Sequence, residues 1–231
     1  AIAEQCVREG AHVVLADIEE PALRSTARAL TELGAQVLAV HLLFNIAGVA
    51  AGTTVWESTL ADWTRVMGIN LNGVFHGIHT FGPRMLAQDD ECHIVNTASI
   101  AGLISSPGLG IYKASKHAVV SLSETLSCEL AERGVKIKVS VLCPYWVKTQ
   151  ILRSQRNRSP ALENPSSDCR EVSAWAQAAQ LAVKTGMEPH DVAGHVFDAI
   201  RGEHFYILTH PDWSPLIQQR MDNILQGRPP A

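Results

Sequence analysis

The chain of 231 residues is 46% hydrophobic and 18% charged, which supplies one large core and excludes intrinsic disorder. Its 19 Lys and Arg against 23 Asp and Glu give a formal net charge of −4, and no basic run suits a nucleic-acid backbone, so no nucleic-acid partner is expected. No apolar stretch approaches the ~18 residues of a membrane span, so no membrane partner is expected either. The opening residues AIAEQCVREG carry no export signal, and Cys6, Cys92, Cys128, Cys143 and Cys169 form no C-x-x-C pair. Reduced thiols and a cytoplasmic location are expected.

Residues 1–9 read as a helix stopped by Gly10, and His12–Ala16 as a buried strand ending at Asp17. Pro21 opens a second helix, closed by Gly34. Gln36–Val40 and Leu42–Phe44 read as further strands, the latter running into Asn45-Ile46-Ala47-Gly48. A long helix is predicted from about Leu60 to Met85, and another from about Ile111 to Arg133, with strands at Ile94-Val95 and Val139–Leu142. From Arg153 to Asp168 the sequence is polar and aperiodic and reads as a mobile loop. Helices near Ser173–Lys184, Asp191–Ile200 and Pro215–Leu225, with a strand at Phe205–Leu208, complete the chain.

Apolar strands alternating with helices specify an α/β fold, a doubly wound parallel sheet covered on both faces in three αβα layers. Ligands of such sheets bind beyond the carboxyl ends of the strands, so Asp17, Asn45, Ser99 and the segment after Leu142 are the polar positions to read. The junction at His41 is anomalous, because parallel neighbours need a crossover of about a dozen residues or more. Either Val40 and Leu42 share one strand or a crossover is missing between them, and the second reading is favoured.

Tyr112 and Lys116 lie four residues apart, on one helical face. A phenol titrates near ~10, and a nearby cation favours the phenolate and makes it a usable acid/base group. The pair alone is weak, since an incidental pair on a solvated face has at least even odds. Ser99 stands 13 residues before Tyr112, where a hydroxyl could share a substrate oxygen or merely cap a loop. Asn70, between Gly68 and Gly73 in an apolar helix, is locally unfavourable and suits the holding of a water or a carbonyl.

With Asn45-x-Ala47-Gly48, Asn70, Ser99, Tyr112-x-x-x-Lys116 and Pro144-x-x-Val147-x-Thr149 in this order, the chain resembles a short-chain dehydrogenase/reductase of the roughly 250-residue type. The resemblance implies a single Rossmann-like domain over 1–231, with a substrate lid at about 150–187, that uses NAD to interconvert a secondary alcohol and a ketone. Tyr112 would be the general acid/base, Ser99 would steady the substrate oxygen, and Lys116 would lower the phenol's pKa and bond the nicotinamide ribose. Asn70 would hold a relay water, Pro144 would line the nicotinamide pocket, and Val147 and Thr149 would fix the carboxamide. Asn45, Ile46, Ala47 and Gly48 would bind the cofactor, with Ile46 meeting the adenosine side through its backbone. Asp17, followed by Ile18, would accept the adenosine ribose hydroxyls and repel the extra phosphate of NADP. Asp17 also reads as a helix cap before Pro21.

The sequence departs from the family pattern in having no G-x-x-x-G-x-G loop, so no residue is assigned to the pyrophosphate; Ile46 replaces a usual Asn, and Tyr145 a common Gly. A non-catalytic binding or scaffold relative is therefore the competing expectation. Leu103, Ile104, Tyr145, Trp146 and the segment Ile151–Lys184 are expected to wall a pocket for a hydrophobic alcohol or ketone. Val119, Val120, Leu122 and Leu126 are expected on outer helix faces, pairing subunits into a homodimer or homotetramer. His76 and His79 lack a third ligand, so no metal is expected.

Overall fold

Four short apolar runs become one parallel sheet. In the computed structural model, which describes residues 1–17, 19–32, 40–51, 54–164 and 174–230, the strands are β1 (Leu42–Asn45), β2 (Cys92–Thr97), β3 (Ile137–Leu142) and β4 (Tyr206–Ile207), side by side in that order. Leu42 stands opposite His93, Cys92 opposite Ile137, and Val141 opposite Tyr206. The helices are α1 (Ile2–Arg8), α2 (Glu20–Glu32), α3 (Leu60–Met67), α4 (Gly73–Gln88), α5 (Gly110–Glu132), α6 (Ala174–Thr185), α7 (Pro189–Arg201) and α8 (Ser214–Leu225).

Side chains alternate across the pleat, so each strand feeds two cores. On one face Cys92, Ile94, Ile137 and Val139 pack with Met85 of α4 and Leu130 of α5. Val141 continues that face against Val74, Val119 and Val120. On the other, Val95, Leu142 and Ile207 meet Val192, Val196 and Ala199 of α7, with Ile2 of α1 packed against them. Each fully buried Val or Ile contributes roughly 1.5–3 kcal/mol. The result is the expected Rossmann-like αβα layering, with the carboxyl ends of β1, β2 and β3 opening on one edge.

Several expected elements differ. His12–Ala16 is not a strand: no ladder partner stands beside it among the described residues, and Val14 is 74% exposed. An apolar run becomes a strand only where a neighbour takes up its backbone groups. Residues 33–39, with Gly34 and most of the Gln36–Val40 run, lie outside the described residues, but Val40 itself is not in a strand. Its N–H and carbonyl instead bond the Gln88 side chain at 3.3 and 3.2 Å, and the His41 carbonyl accepts from His93 N–H just before β1 begins.

The helix expected over Leu60–Met85 is interrupted at Gly68–Asn72 by a wider, π-helical turn and runs on to Gln88. The polar stretch after Arg153 is ordered as far as it is described, in short 3₁₀ turns at Ile151–Asn157 and Pro160–Leu162. Arg158 donates to Asp62 at 2.7 Å and to Asn164 at 3.0 Å, and Asn164 returns a bond to Asp62 at 3.1 Å. Arg65 also donates to the Ser154 carbonyl at 2.5 Å.

Val119 and Val120 are buried rather than outward, and Leu122 and Leu126 are partly buried against the same cores, because α5 is covered on one side by the sheet and on another by α3. The apolar residues that do face outward here are Leu60 and Trp63 of α3 and Phe75 of α4, at 86%, 48% and 51% exposure. His79 stacks on Phe75, and no group of three potential metal ligands occurs among the described residues.

Candidate active site

β2 delivers Ser99 two residues past its end. There it caps a 3₁₀ turn (Ile100–Gly102): its Oγ accepts from Ala101 N–H at 3.1 Å and donates to the Pro144 carbonyl at 3.3 Å. Pro144 follows the end of β3, so Ser99 is fixed between two neighbouring strand ends. The turn then lies directly on α5. A Cβ on Gly102 would stand 2.6 Å from the Lys116 carbonyl oxygen, which only glycine permits. That close approach brings Ser99 beside the first turn of α5, where its hydroxyl stands close enough to the Tyr112 phenol to affect its titration.

Lys116, one helical turn beyond Tyr112, is 3% exposed. Its Nζ donates to the Thr97 carbonyl at 2.8 Å and lies 5.7 Å from the centre of the Tyr112 ring. Burial pulls this ammonium down to about 8. Burial likewise pushes the Tyr112 phenol above its ordinary range, and the Ser99 hydroxyl works against that rise. The ammonium of Lys116 itself is held on the Thr97 carbonyl.

Asn70 sits in the π-helical turn with no exposed surface. Its Oδ1 accepts from Val49 N–H at 2.8 Å, and its Nδ2 donates to the Val49 carbonyl and the Ser115 hydroxyl, each at 3.0 Å. The amide therefore holds a carbonyl, one of the two uses its sequence context suggested. It also fixes the backbone beside Gly48, where an added Cβ would lie 3.5 Å from Lys116 Nζ and 3.6 Å from Asn70 Oδ1. Asn45 donates to Asn96 Oδ1 at 2.8 Å, tying the end of β1 to β2.

A cleft of about 1200 Å³ opens over these groups. Ser99, Tyr112 and Lys116 line it, with Ile46 and Gly48 on the β1 side and Pro144, Val147 and Thr149 on the β3 side. Asn45, Ala47 and Asn70 do not reach it, and Asp17 is exposed away from its wall, accepting from Glu19 N–H at 2.8 Å in the turn before α2. Ile18 lies outside the described residues. The buried Thr97 hydroxyl has no partner and also lines the cleft. This hydroxyl, the Lys116 ammonium and the Gly48 backbone along the cleft fit the nicotinamide riboside half of a dinucleotide.

Of the expected pocket walls, Ile104, Tyr145 and Trp146 line the cleft, as do Ile151 and Leu152, whereas Leu103 packs into the core. Sequence reasoning missed one wall. α8 turns Leu216, Gln219, Arg220 and Asn223 toward the cleft, and Trp213 just before it packs on Tyr145 with ring centres 4.0 Å apart. The helix was legible, but nothing in its pattern marked the face.

Comparisons with known proteins agree with this geometry. Residues 1–160 match the family model for short chain dehydrogenases. A CLA biosynthesis dehydrogenase/reductase of Lactiplantibacillus plantarum is 32% identical over 256 aligned positions, covering 99% of this chain and 90% of the relative. That alignment is longer than the chain, so the relative holds internal residues without a counterpart here. A diacetyl reductase of Staphylococcus epidermidis is 29% identical, covering 89% of this chain and 88% of its own. A short chain dehydrogenase/reductase of Burkholderia phymatum, solved in complex with NAD, superposes with a TM-score of 0.95 at 42% identity, covering 100% of this chain and 91% of that one. The chain belongs to the short-chain dehydrogenase/reductase family and is an NAD(P)-dependent oxidoreductase acting on CH–OH groups.

Proposed function

We propose that the chain interconverts a secondary alcohol and a ketone with NAD, Tyr112 being the general acid/base. The observation that carries this reading is that Ser99, Tyr112 and the buried Lys116 line one cleft with mostly apolar walls, the Lys116 ammonium 5.7 Å from the Tyr112 ring centre. In oxidation the phenolate takes the hydroxyl proton while the carbon gives up its hydride; in reduction the phenol returns the proton to the carbonyl oxygen. Bound NAD supplies the two-electron acceptor or donor. Ser99, anchored on the Pro144 carbonyl, steadies the substrate oxygen within reach of the phenol.

Lys116, poised near neutrality by burial, exchanges the proton with solvent and bonds the ribose hydroxyls. Asn70 keeps the strand end beside it in register through Val49. Pro144, Val147 and Thr149 bound the nicotinamide site, and Ile46 and Gly48 form its other edge, on a segment that Asn45 ties to β2. Asp17 and Ile18 take the adenosine ribose, which favours NAD because a carboxylate repels the additional phosphate of NADP. The segment at about 150–187 acts as the substrate lid within a single 1–231 domain. The exposed Leu60, Trp63 and Phe75 suit a homodimer or homotetramer contact. A cytoplasmic enzyme with a hydrophobic substrate completes the reading.

The test is to assay the full chain against a panel of hydrophobic secondary alcohols with NAD at alkaline pH, alongside NADH titration by fluorescence. NADH formation with saturable binding is expected. NADH binding without turnover on any alcohol or ketone would leave the non-catalytic reading in its place.

A further inference from the structure

The cleft has one sign of charge. Among the described residues lining it are Lys113, Lys116, Arg156, Arg220 and Arg228, but no Asp or Glu, in a chain whose net charge is −4. Three of these cations are already engaged. Lys116 bonds the Thr97 carbonyl, Lys113 bonds the Ser106 and Gly108 carbonyls at 2.7 and 2.5 Å, and Arg156 pairs with Glu19. The side chains of Arg220 and Arg228 have no hydrogen-bond or ion-pair partner among the described residues. Both belong to the C-terminal wall, Arg220 on α8 and Arg228 just beyond its end.

That wall is anchored next to the reacting centre. Trp213 packs on Tyr145, and Tyr145 follows the proline whose carbonyl holds Ser99. From there α8 carries Leu216, Gln219, Arg220 and Asn223 along one side, at helical spacing. Arg220, seven residues beyond Trp213, lies about 10 Å along the helix axis from it. Apolar side chains share the cleft with the phenol and this cation, among them Ile104, Leu109, Leu152 and a Leu216 that is 41% exposed. Each of these guanidinium groups, unpaired among the described residues and sharing the wall with the Gln219 and Asn223 amides, carries the fork of donors that a carboxylate takes.

We propose that the substrate is an apolar secondary alcohol or ketone ending in a carboxylate, its carbon chain on the apolar wall of α8 and its acid group on Arg220 and Arg228. This rests on the alcohol/ketone reading above and adds the substrate class. Because a free carboxylate and the cofactor's phosphates could each use a guanidinium, the test must separate them.

The probes are oxo-octadecanoic acids with the ketone at different chain positions, each paired with its methyl ester. Binding is followed by tryptophan fluorescence in the wild-type protein and in Tyr112→Phe, where turnover does not interfere. At least one acid is expected to bind about tenfold to a hundredfold more tightly than its ester, with the advantage shrinking as salt is added. In Arg220→Gln, and further in Arg220→Gln/Arg228→Gln, the acid-to-ester ratio is expected to fall toward one through the acid's weaker binding. No acid bound better than its ester by the wild-type protein would overturn the proposal. So would a preference that survives the double variant, or variants that weaken NAD binding while leaving the ratio intact. An acid preference in a protein that forms NADH from no alcohol would sink the proposed reaction instead, leaving the anion-binding wall in place.

Discussion

The reaction end of the cleft and the Asp17 turn, proposed to meet the adenosine, are built to different standards. At the reaction end Asn70 is fully buried and makes three bonds, Ser99 bridges two strand ends, and the buried Lys116 is held on the Thr97 carbonyl. At the adenosine end Asp17 is exposed on a segment outside the sheet, held by one bond to the next turn. Its neighbour Glu19 reaches instead to Arg156 and to Asn157 at 2.7 Å on the facing turn. Groups that must hold a reacting atom to a fraction of an ångström are fixed by the core, whereas a group that only discriminates a ribose can sit on a surface turn.

Tyr112→Phe would break the comparison most sharply. Removing the phenolic proton should lower turnover roughly 10²–10⁴-fold, with NAD binding retained. Steady-state kinetics with NADH titration checks this, and unchanged turnover would remove Tyr112 from the chemistry. Next in size is Asn70→Ala. It strands the Val49 N–H and carbonyl in a buried site, which costs about 3 kcal/mol. Urea denaturation should show the midpoint falling well below that of the parent.

A buried histidine sharpens the contrast from inside the sheet. His93, 4% exposed and bonded to the Ser140 hydroxyl at 2.7 Å, is pulled by burial from 6.5 to about 4. The unfolded chain therefore takes up a proton that the folded one refuses between those values. Stability is present above about 6.5 and is lost as pH falls toward 4, by about 2 kcal/mol at pH 5. Denaturation at pH 7.5 and pH 5 should show this loss, and His93→Asn should flatten it. An equal loss in both proteins would assign the acid sensitivity elsewhere.

How much of this was legible in the sequence follows the range of the forces involved. β1, β2 and β3 were readable because a short apolar run states its own burial, yet His12–Ala16 states the same thing and is no strand, since pairing depends on a neighbour that no run of residues announces. Ser99, Tyr112 and Lys116 were readable as an ordered set, and the structure brings them together. Asn70 stood out as a misplaced amide, although the π-helical turn that accommodates it did not. The segment after Arg153 looked mobile because its order comes from Asp62, 96 residues from Arg158 in sequence. The apolar face of α5 was assigned to a contact between subunits because its period does not reveal that α3 covers the helix too.

Asp17→Ala is the smallest perturbation and the one that tests the comparison from its weak side. The carboxylate is exposed and bonds only Glu19 N–H among the described residues, so stability should move by no more than about 0.5 kcal/mol. NAD affinity should fall about tenfold, the size of one charge-assisted hydrogen bond, and discrimination against NADP should relax with it. Parallel titrations with NADH and NADPH read both effects. A loss of stability as large as that of Asn70→Ala would mean that the adenosine end is also built into the core. A change in affinity without any change in NADH-to-NADPH preference would mean that Asp17 meets something other than the ribose.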